Sequence, residues 1–339
     1  MGIRIGARTV RFDMPPNIVG FCSVAGSDEK KGPYGSCFDV TFDDELWGEK
    51  TYELTERKMQ LTAAETAINK AGLTSDDIHF LFGGDLLNQI ISSGFVARQL
   101  GIPFVGLYGA CSTMSESMLA GSMAVDGGFA VNAICTTSSH FATAERQFRS
   151  PLELGTPKTP TSQHTATAAG AVVLSSKRGQ YPSVTYATPG RVVDMGITDA
   201  NNMGAAMAPA AVESIICHLE DTGKKPTDFD AIITGDLGTF GSELLIKYAT
   251  DAGCDISGVH KDCGALLYEG NDLMHCGGSG CGCSASMLTG FFLPELIKGN
   301  LHRIMFVATG ALHSPTSTLQ GESIPSIAHA IVIETGCGI

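Results

Sequence analysis

LTSDDIHFLFGGDL (Leu73–Leu86) is echoed by KPTDFDAIITGDL (Lys225–Leu237). Asp77 and Asp228 lie 151 positions apart, and so do Asp85 and Asp236. A helical pattern precedes each copy, ERKMQLTAAETAINKAG in one case and APAAVESIICHLEDTG in the other. Each copy then reads as an acidic turn, a short apolar run, and Gly-Asp-Leu at the carboxyl end of that run. Short apolar runs bounded by turn residues read as buried strands. A weaker echo pairs Met118-Leu119-Ala120-Gly121 with Met287-Leu288-Thr289-Gly290, each opening a helix that an apolar strand follows. Helices alternating with buried strands indicate largely parallel sheets. The chain therefore reads as an α/β protein of two duplicated halves, 1–178 and 179–339, joined near SKRGQYP (176–182).

Composition bounds the function. Hydrophobic residues make up 43% of the 339 and charged residues 17%, which supports a large core and disfavours disorder. The net charge of −13 disfavours nucleic acid as a partner and unaided binding to anionic lipid. The N-terminus MGIRIGARTVRFDMPP has no apolar signal-peptide core, so the eleven cysteines are expected to be reduced thiols. No stretch is long and apolar enough to span a bilayer. Any membrane association is expected to be peripheral and mediated by a partner.

The chemistry centres on IPFVGLYGACSTMSESMLAGSMAV (102–125). An apolar run ends at a Gly-Ala corner, Cys111 follows, and a helical pattern opens with Ser112, Thr113 and Ser115. A thiol at a helix N-terminus is expected to have a lowered pKa and to be a candidate acyl-accepting nucleophile. In a duplicated α/β protein the site falls between the halves, at the carboxyl ends of the strands. That rule selects the loops 84–89, 110–113, 137–140, 235–237 and 309–313.

The duplicated halves, the corner at Cys111 and the segment TAAGAVVL (167–174) resemble the thiolase and ketoacyl synthase superfamily. That resemblance implies a five-layered αβαβα fold, a homodimer, and a cysteine nucleophile. The chain resembles, more specifically, the SpoVAD family of spore proteins through GDLLNQ (84–89), GACST (109–113), TSSHFATAERQFR (137–149), MGAAMAPAA (203–211), GGSGCGCSA (277–285) and ATGALHSPT (308–316). This implies binding of dipicolinic acid (pyridine-2,6-dicarboxylate). It also implies action with the other SpoVA membrane proteins, in uptake into the forespore and release in germination, at the periphery of the inner membrane.

Superfamily enzymes of the type III class use a His and an Asn beside the nucleophile. Aligned by strand and helix, those positions fall on Gly235 and on or near Cys281. Glycine donates no side-chain hydrogen bond, and the neighbouring Asp236 repels an oxyanion; losing one such donor costs about 2.7–4 kcal/mol. The expectation is a degenerate, catalytically inactive protein with Cys111 as a vestigial nucleophile. An acyltransferase using Cys111 stays open as the alternative, with His140, His260, His275 or His313 as a replacement imidazole. Cys263, Cys276, Cys281, Cys283 and His275 do not make the two clustered ligand pairs that zinc wants, so no metal or cofactor is expected.

A flat dianion needs anion-recognising corners and an apolar slot. Arg146 and Arg149, three apart, suit carboxylates, and a Glu145–Arg146 ion pair is the competing reading for the first. Ser112 and Thr113 offer hydroxyls and N–H groups at a helix start. Gly204–Ala208 supplies small residues for a slot. Asp85, Asn88, Ser139, His140, Asp236 and Cys281 complete the candidate ligand site with Cys111. Calcium is assigned to the ligand, as its chelate, while the acids at Asp85 and Asp236 read also as caps.

Overall fold

The computed structural model of the protein describes residues 2–148 and 158–336. The first half contributes β1 (Asn17–Ala25), β2 (Phe80–Asp85), β3 (Phe104–Gly106), β4 (Asn132–Ser139) and β5 (Ala168–Ser175). The second contributes β6 (Ser183–Thr188), β7 (Ala231–Thr234), β8 (His260–Asp262), β9 (Arg303–Ala311) and β10 (Ser326–Glu334). Their spatial order is β3-β2-β4-β5-β1-β6-β10-β9-β7-β8. Counted within each half, both sets follow one order: third, second, fourth, fifth, first. In both, the fifth strand runs antiparallel to its two neighbours and the other pairings are parallel. The ten-strand path crosses between the halves at the antiparallel pair Ser183 with Asn17, and the halves are joined further by Thr9–Arg11 antiparallel to β6 and by His164–Thr165 parallel to Gly278–Ser279.

Among the described residues the α-helices of six residues or more are α1 (Tyr52–Lys70), α2 (Ile91–Leu100), α3 (Thr113–Asp126), α4 (Phe141–Phe148), α5 (Met203–Thr222), α6 (Gly238–Asp251), α7 (Cys281–Met287) and α8 (Leu293–Lys298). α1 and α2 cover the outer face of the first five strands, and α5, backed by α6, covers the second five. Between the sheets lies α3, touching β2, β4 and β5 on one side and β9 and β10 on the other, with α7 beside it. Helix, sheet, helix, sheet, helix is the expected five-layered arrangement. Three apolar clusters fill the spaces: Met114, Met118, Leu174, Phe292 and Phe306 between the sheets, Met59, Ala63, Leu81 and Ile134 under α1, and Met207, Ile215, Ile232 and Met305 under α5.

The sequence repeat has a structural job. Asp77 accepts a hydrogen bond from Thr74 N at 2.8 Å, and Asp228 accepts one from Lys225 N at 2.7 Å. Each aspartate closes the turn that feeds the second strand of its half. No helix among the described residues is long and apolar enough to cross a membrane.

α7 approaches β5 closely because small residues face each other there. A Cβ added at Gly170 would lie 2.6 Å from the Ala285 backbone, and one at Gly282 would lie 2.2 Å from the Ala168 carbonyl oxygen. Gly170→Ala is therefore expected to destabilise the protein by about 1–3 kcal/mol through overpacking, read as a lowered urea midpoint. An unchanged midpoint would show that the inner layer yields there.

Candidate functional site

After β3 the chain turns through Gly109 and Ala110 into a tight turn, Ala110–Ser112, that leads into α3. Ala110 has φ +51°, a left-handed conformation that costs a non-glycine residue about 1–3 kcal/mol. Hydrogen bonds hold the corner in place. Ser112 Oγ donates to Gly109 O at 2.7 Å, and Thr113 Oγ1 donates to Ala110 O at 2.6 Å while accepting from Gly109 N at 3.2 Å. Both hydroxyls are thus committed to the backbone, and Cys111 is the side chain that the corner presents to a cavity.

That cavity has two chambers. A narrow inner slot of about 50 Å³ is lined by Cys111, Leu86, Ala144, Met203 and Met207, with Thr165 and Ser279 on its polar side. It has room for roughly three water-sized groups. A wider outer chamber of about 450 Å³ is lined by Asn88, Gln89, Gln147 and Ser314 among others. Tyr108, Phe148 and His313 line both. His313 Nε2 lies 2.8 Å from Thr318 Oγ1, and its ring centroid is 5.9 Å from that of Phe148. None of the described lining residues is Lys, Arg, Asp or Glu.

Behind the slot the Asp236 carboxylate accepts from Gly280 N at 2.9 Å, Ser279 Oγ at 3.2 Å and Thr309 Oγ1 at 2.8 Å. The Cys111 thiol faces this carboxylate. Burial, then the Asp236 charge, then Cys281 push the thiol well above its ordinary pKa, and the Gly280 N–H offsets this only in part. This corrects the expectation drawn from the helix N-terminus: burial of the sulfur, with an anion opposite it, outweighs the helix dipole. Burial also raises Asp236, against the hydrogen bonds it accepts.

The two positions that the superfamily gives to His and Asn are both closed. A Cβ at Gly235 would lie 3.1 Å from Ala308 Cα and Thr309 N and 3.3 Å from Ser284 Cβ, so a side chain there meets packed atoms. Cys281 is fully buried, its Sγ donates to Ser138 O at 3.0 Å, and it joins Leu86 and Ala144 in an apolar cluster against Cys111 and Phe148.

The remaining candidates divide between cavity and scaffold. Asn88 lines the outer chamber. Asp85 does not reach either chamber: it accepts from Leu87 N at 3.0 Å and Ser93 N at 2.8 Å and so caps the start of α2. Ser139 donates to Ala166 O at 2.7 Å and accepts from Gly282 N at 3.2 Å. His140 is buried, with Nε2 2.8 Å from Glu45 O and Nδ1 accepting from Ala142 N at 3.1 Å, which makes it a neutral donor to that carbonyl. Arg146 is exposed and ion-paired with Glu53, away from the cavity. Arg149 lies outside the described residues. Of the candidate imidazoles, His260 bonds Thr234 Oγ1 at 2.8 Å and His275 is exposed, so His313 is the one at the cavity. Among the described residues no group of His, Cys, Asp and Glu is arranged to hold a metal ion.

Sequence reasoning passed over Tyr108 and Phe148. Tyr108 stands three residues before the nucleophile corner, and Phe148 ends the apolar spacing of FATAERQF, but neither has a chemical signature of its own.

The profile of the family described as Stage V sporulation protein AD (SpoVAD) matches residues 6–334. Stage V sporulation protein AD of Bacillus subtilis (strain 168) is 45% identical over 333 residues, which is 98% of this chain and 98% of that protein. Solved structures share the fold at low identity. 3-Oxoacyl-[acyl-carrier-protein] synthase III of Aquifex aeolicus VF5 has a TM-score of 0.58 at 13% identity, covering 94% of this chain and 99% of that one. An OleA variant of Xanthomonas campestris has a TM-score of 0.63 at 12% identity, covering 95% and 99%.

Two outcomes follow from the buried acids. Asp236→Asn removes the anion facing the sulfur, so Cys111 is expected to react several-fold faster with iodoacetamide at pH 8; an unchanged rate would assign the raised pKa to burial alone. Glu56 is pushed up to about 8 from 4.5 by burial and by Asp85. Its raised pKa stabilises the fold fully below pH 4.5, and that stability is lost as pH rises through about 8. Glu56→Gln is therefore expected to flatten the unfolding free energy over this range by about 1.4 kcal/mol per pH unit. Parallel pH profiles for the two proteins would contradict the assignment.

Proposed function

The chain belongs to the stage V sporulation protein AD family, and from that premise we propose that it is a non-enzymatic dipicolinate-binding protein on a thiolase-like scaffold. In this reading it works with the other SpoVA membrane proteins, at the periphery of the inner membrane, in dipicolinate uptake into the forespore and release in germination. The observation that carries the reading is the cavity at Cys111. It keeps the superfamily's nucleophile corner, yet the thiol faces a carboxylate where catalysis calls for an imidazole. A neutral thiol opposite an anion is a poor nucleophile.

The lining suits a flat aromatic ring. Phe148 and Tyr108, which line both chambers, offer ring faces at the wide end. Asn88, Gln89 and His313 offer hydrogen bonds for carboxylates at the wide end. With no lysine or arginine among the described lining residues, the species that fits is the 1:1 calcium chelate, in which the metal neutralises both carboxylates. The calcium then belongs to the ligand. A homodimer is proposed at the edge strand β3, where Val105 is 37% exposed beside Tyr108 of the cavity.

Isothermal titration of the purified protein tests this. Dipicolinate is expected to give saturable heat, strengthened by calcium, and benzoate none. Phe148→Ala is expected to weaken binding about threefold to tenfold through loss of ring stacking. No saturable heat for dipicolinate, with or without calcium, would sink the proposal.

A further inference from the structure

The rim of the outer chamber carries two residues in a backbone conformation that their side chains disfavour. Gln89 has φ +59° and Ile90 has φ +47°. The left-handed region is uncommon for any residue but glycine, and a β-branched residue there is an outlier. Such backbone persists only where its surroundings hold it, and it gathers at ligand clamps. Here the hold comes from two sides. On the scaffold side Asp85 accepts from Leu87 N at 3.0 Å and from Ser93 N and Oγ at 2.8 Å. On the chamber side stands Gln147 of α4. Its Oε1 accepts from Asn88 N at 3.0 Å, and its Nε2 donates to Leu86 O at 2.7 Å. Ile90 is seated against β3, where a Cβ added at Gly106 would lie 2.4 Å from its Cδ1.

Gln147 and Asn88 both line the chamber, but they are placed for different work. Gln147 commits both ends of its carboxamide to backbone two residues apart. The donor and acceptor it meets there fix which end is oxygen and which is nitrogen. Asn88 gives only its backbone N–H to this brace and is itself exposed at the rim. Its carboxamide carries an NH2 that can donate to a carboxylate. A rim that had to be ordered on binding would weaken affinity, and a rim already braced does not. We infer that Gln147 is a positioning residue: it pins the strained turn 86–90 so that Asn88 stands ready for one carboxylate of the ligand. This rests on the dipicolinate reading and names what orders the wide end of that cavity.

Two measurements on the full chain test it. Hydrogen exchange of the segment 86–90 in the absence of ligand is expected to be several-fold faster in Gln147→Leu than in wild type. Isothermal titration with dipicolinate and calcium is expected to give a Kd about threefold to tenfold weaker in Gln147→Leu, the size of one lost hydrogen bond, and a similar loss in Asn88→Ala. The double variant is expected to bind no more than about twofold weaker than Asn88→Ala, because the two side chains act through one contact. A merely structural effect of Gln147 would weaken both backgrounds equally. Gln147→Met, which keeps the side-chain length and loses both bonds, is expected to match Gln147→Leu, and unchanged melting temperatures would confirm folding. Unchanged exchange, a wild-type Kd in Gln147→Leu, or additive losses in the double variant would overturn the inference. Absence of wild-type heat together with faster exchange in the variant would sink the dipicolinate reading and leave the brace standing.

Discussion

The buried Asp236 carboxylate is the constraint on which the site depends. It stands just beyond the end of β7 and gathers donors from the turn before α7 and from β9. An ionised carboxylate without water is tolerated only when donors surround it. Those donors therefore fix where α7 starts relative to β7 and β9. α7 in turn sets its glycines and alanines against β5 and so joins the halves. Burial, together with the same anion, keeps the Cys111 sulfur protonated.

Other buried acids repeat the pattern around the central layer. Asp262 accepts from Leu237 N, Gly238 N and Ala265 N, and burial still pushes it up to about 6. Glu29 takes bonds from Tyr268 Oη and Thr167 N, and burial pushes it up to about 7. Burial raises both Glu56 and Asp85, and the Asp85 charge raises Glu56 further. Acids so placed serve as internal caps and braces. The cavity beside them has no Lys, Arg, Asp or Glu among its described lining residues.

Much of the fold was legible because duplication leaves a periodic record. The 151-residue offset between Asp77 and Asp228 marks two turns with the same hydrogen bond, and the strand order of the two halves is the same. The location of the cavity was legible too, since loops at strand ends converge by topology and Cys111, Asn88 and His313 all come from them. The fate of single polar groups was not legible. Ser112, Thr113, Asp85, Ser139 and His140 have the residue types of ligand contacts, yet each is satisfied by nearby backbone. That depends on sub-ångström geometry which composition and spacing do not encode. The slot walls Tyr108 and Phe148 escaped because aromatic side chains are common to cores and sites alike.

The central claim is that the nucleophile corner survives as a binding feature while its acyl chemistry has lapsed. The scaffold is shared with condensing enzymes, so the claim is open to direct contradiction. Intact-mass spectrometry after incubation with acyl-CoA thioesters of several chain lengths puts the question to Cys111 alone. The account predicts an unmodified mass throughout. A covalent acyl adduct that disappears in Cys111→Ser would contradict it and restore the protein to the enzymes of its superfamily.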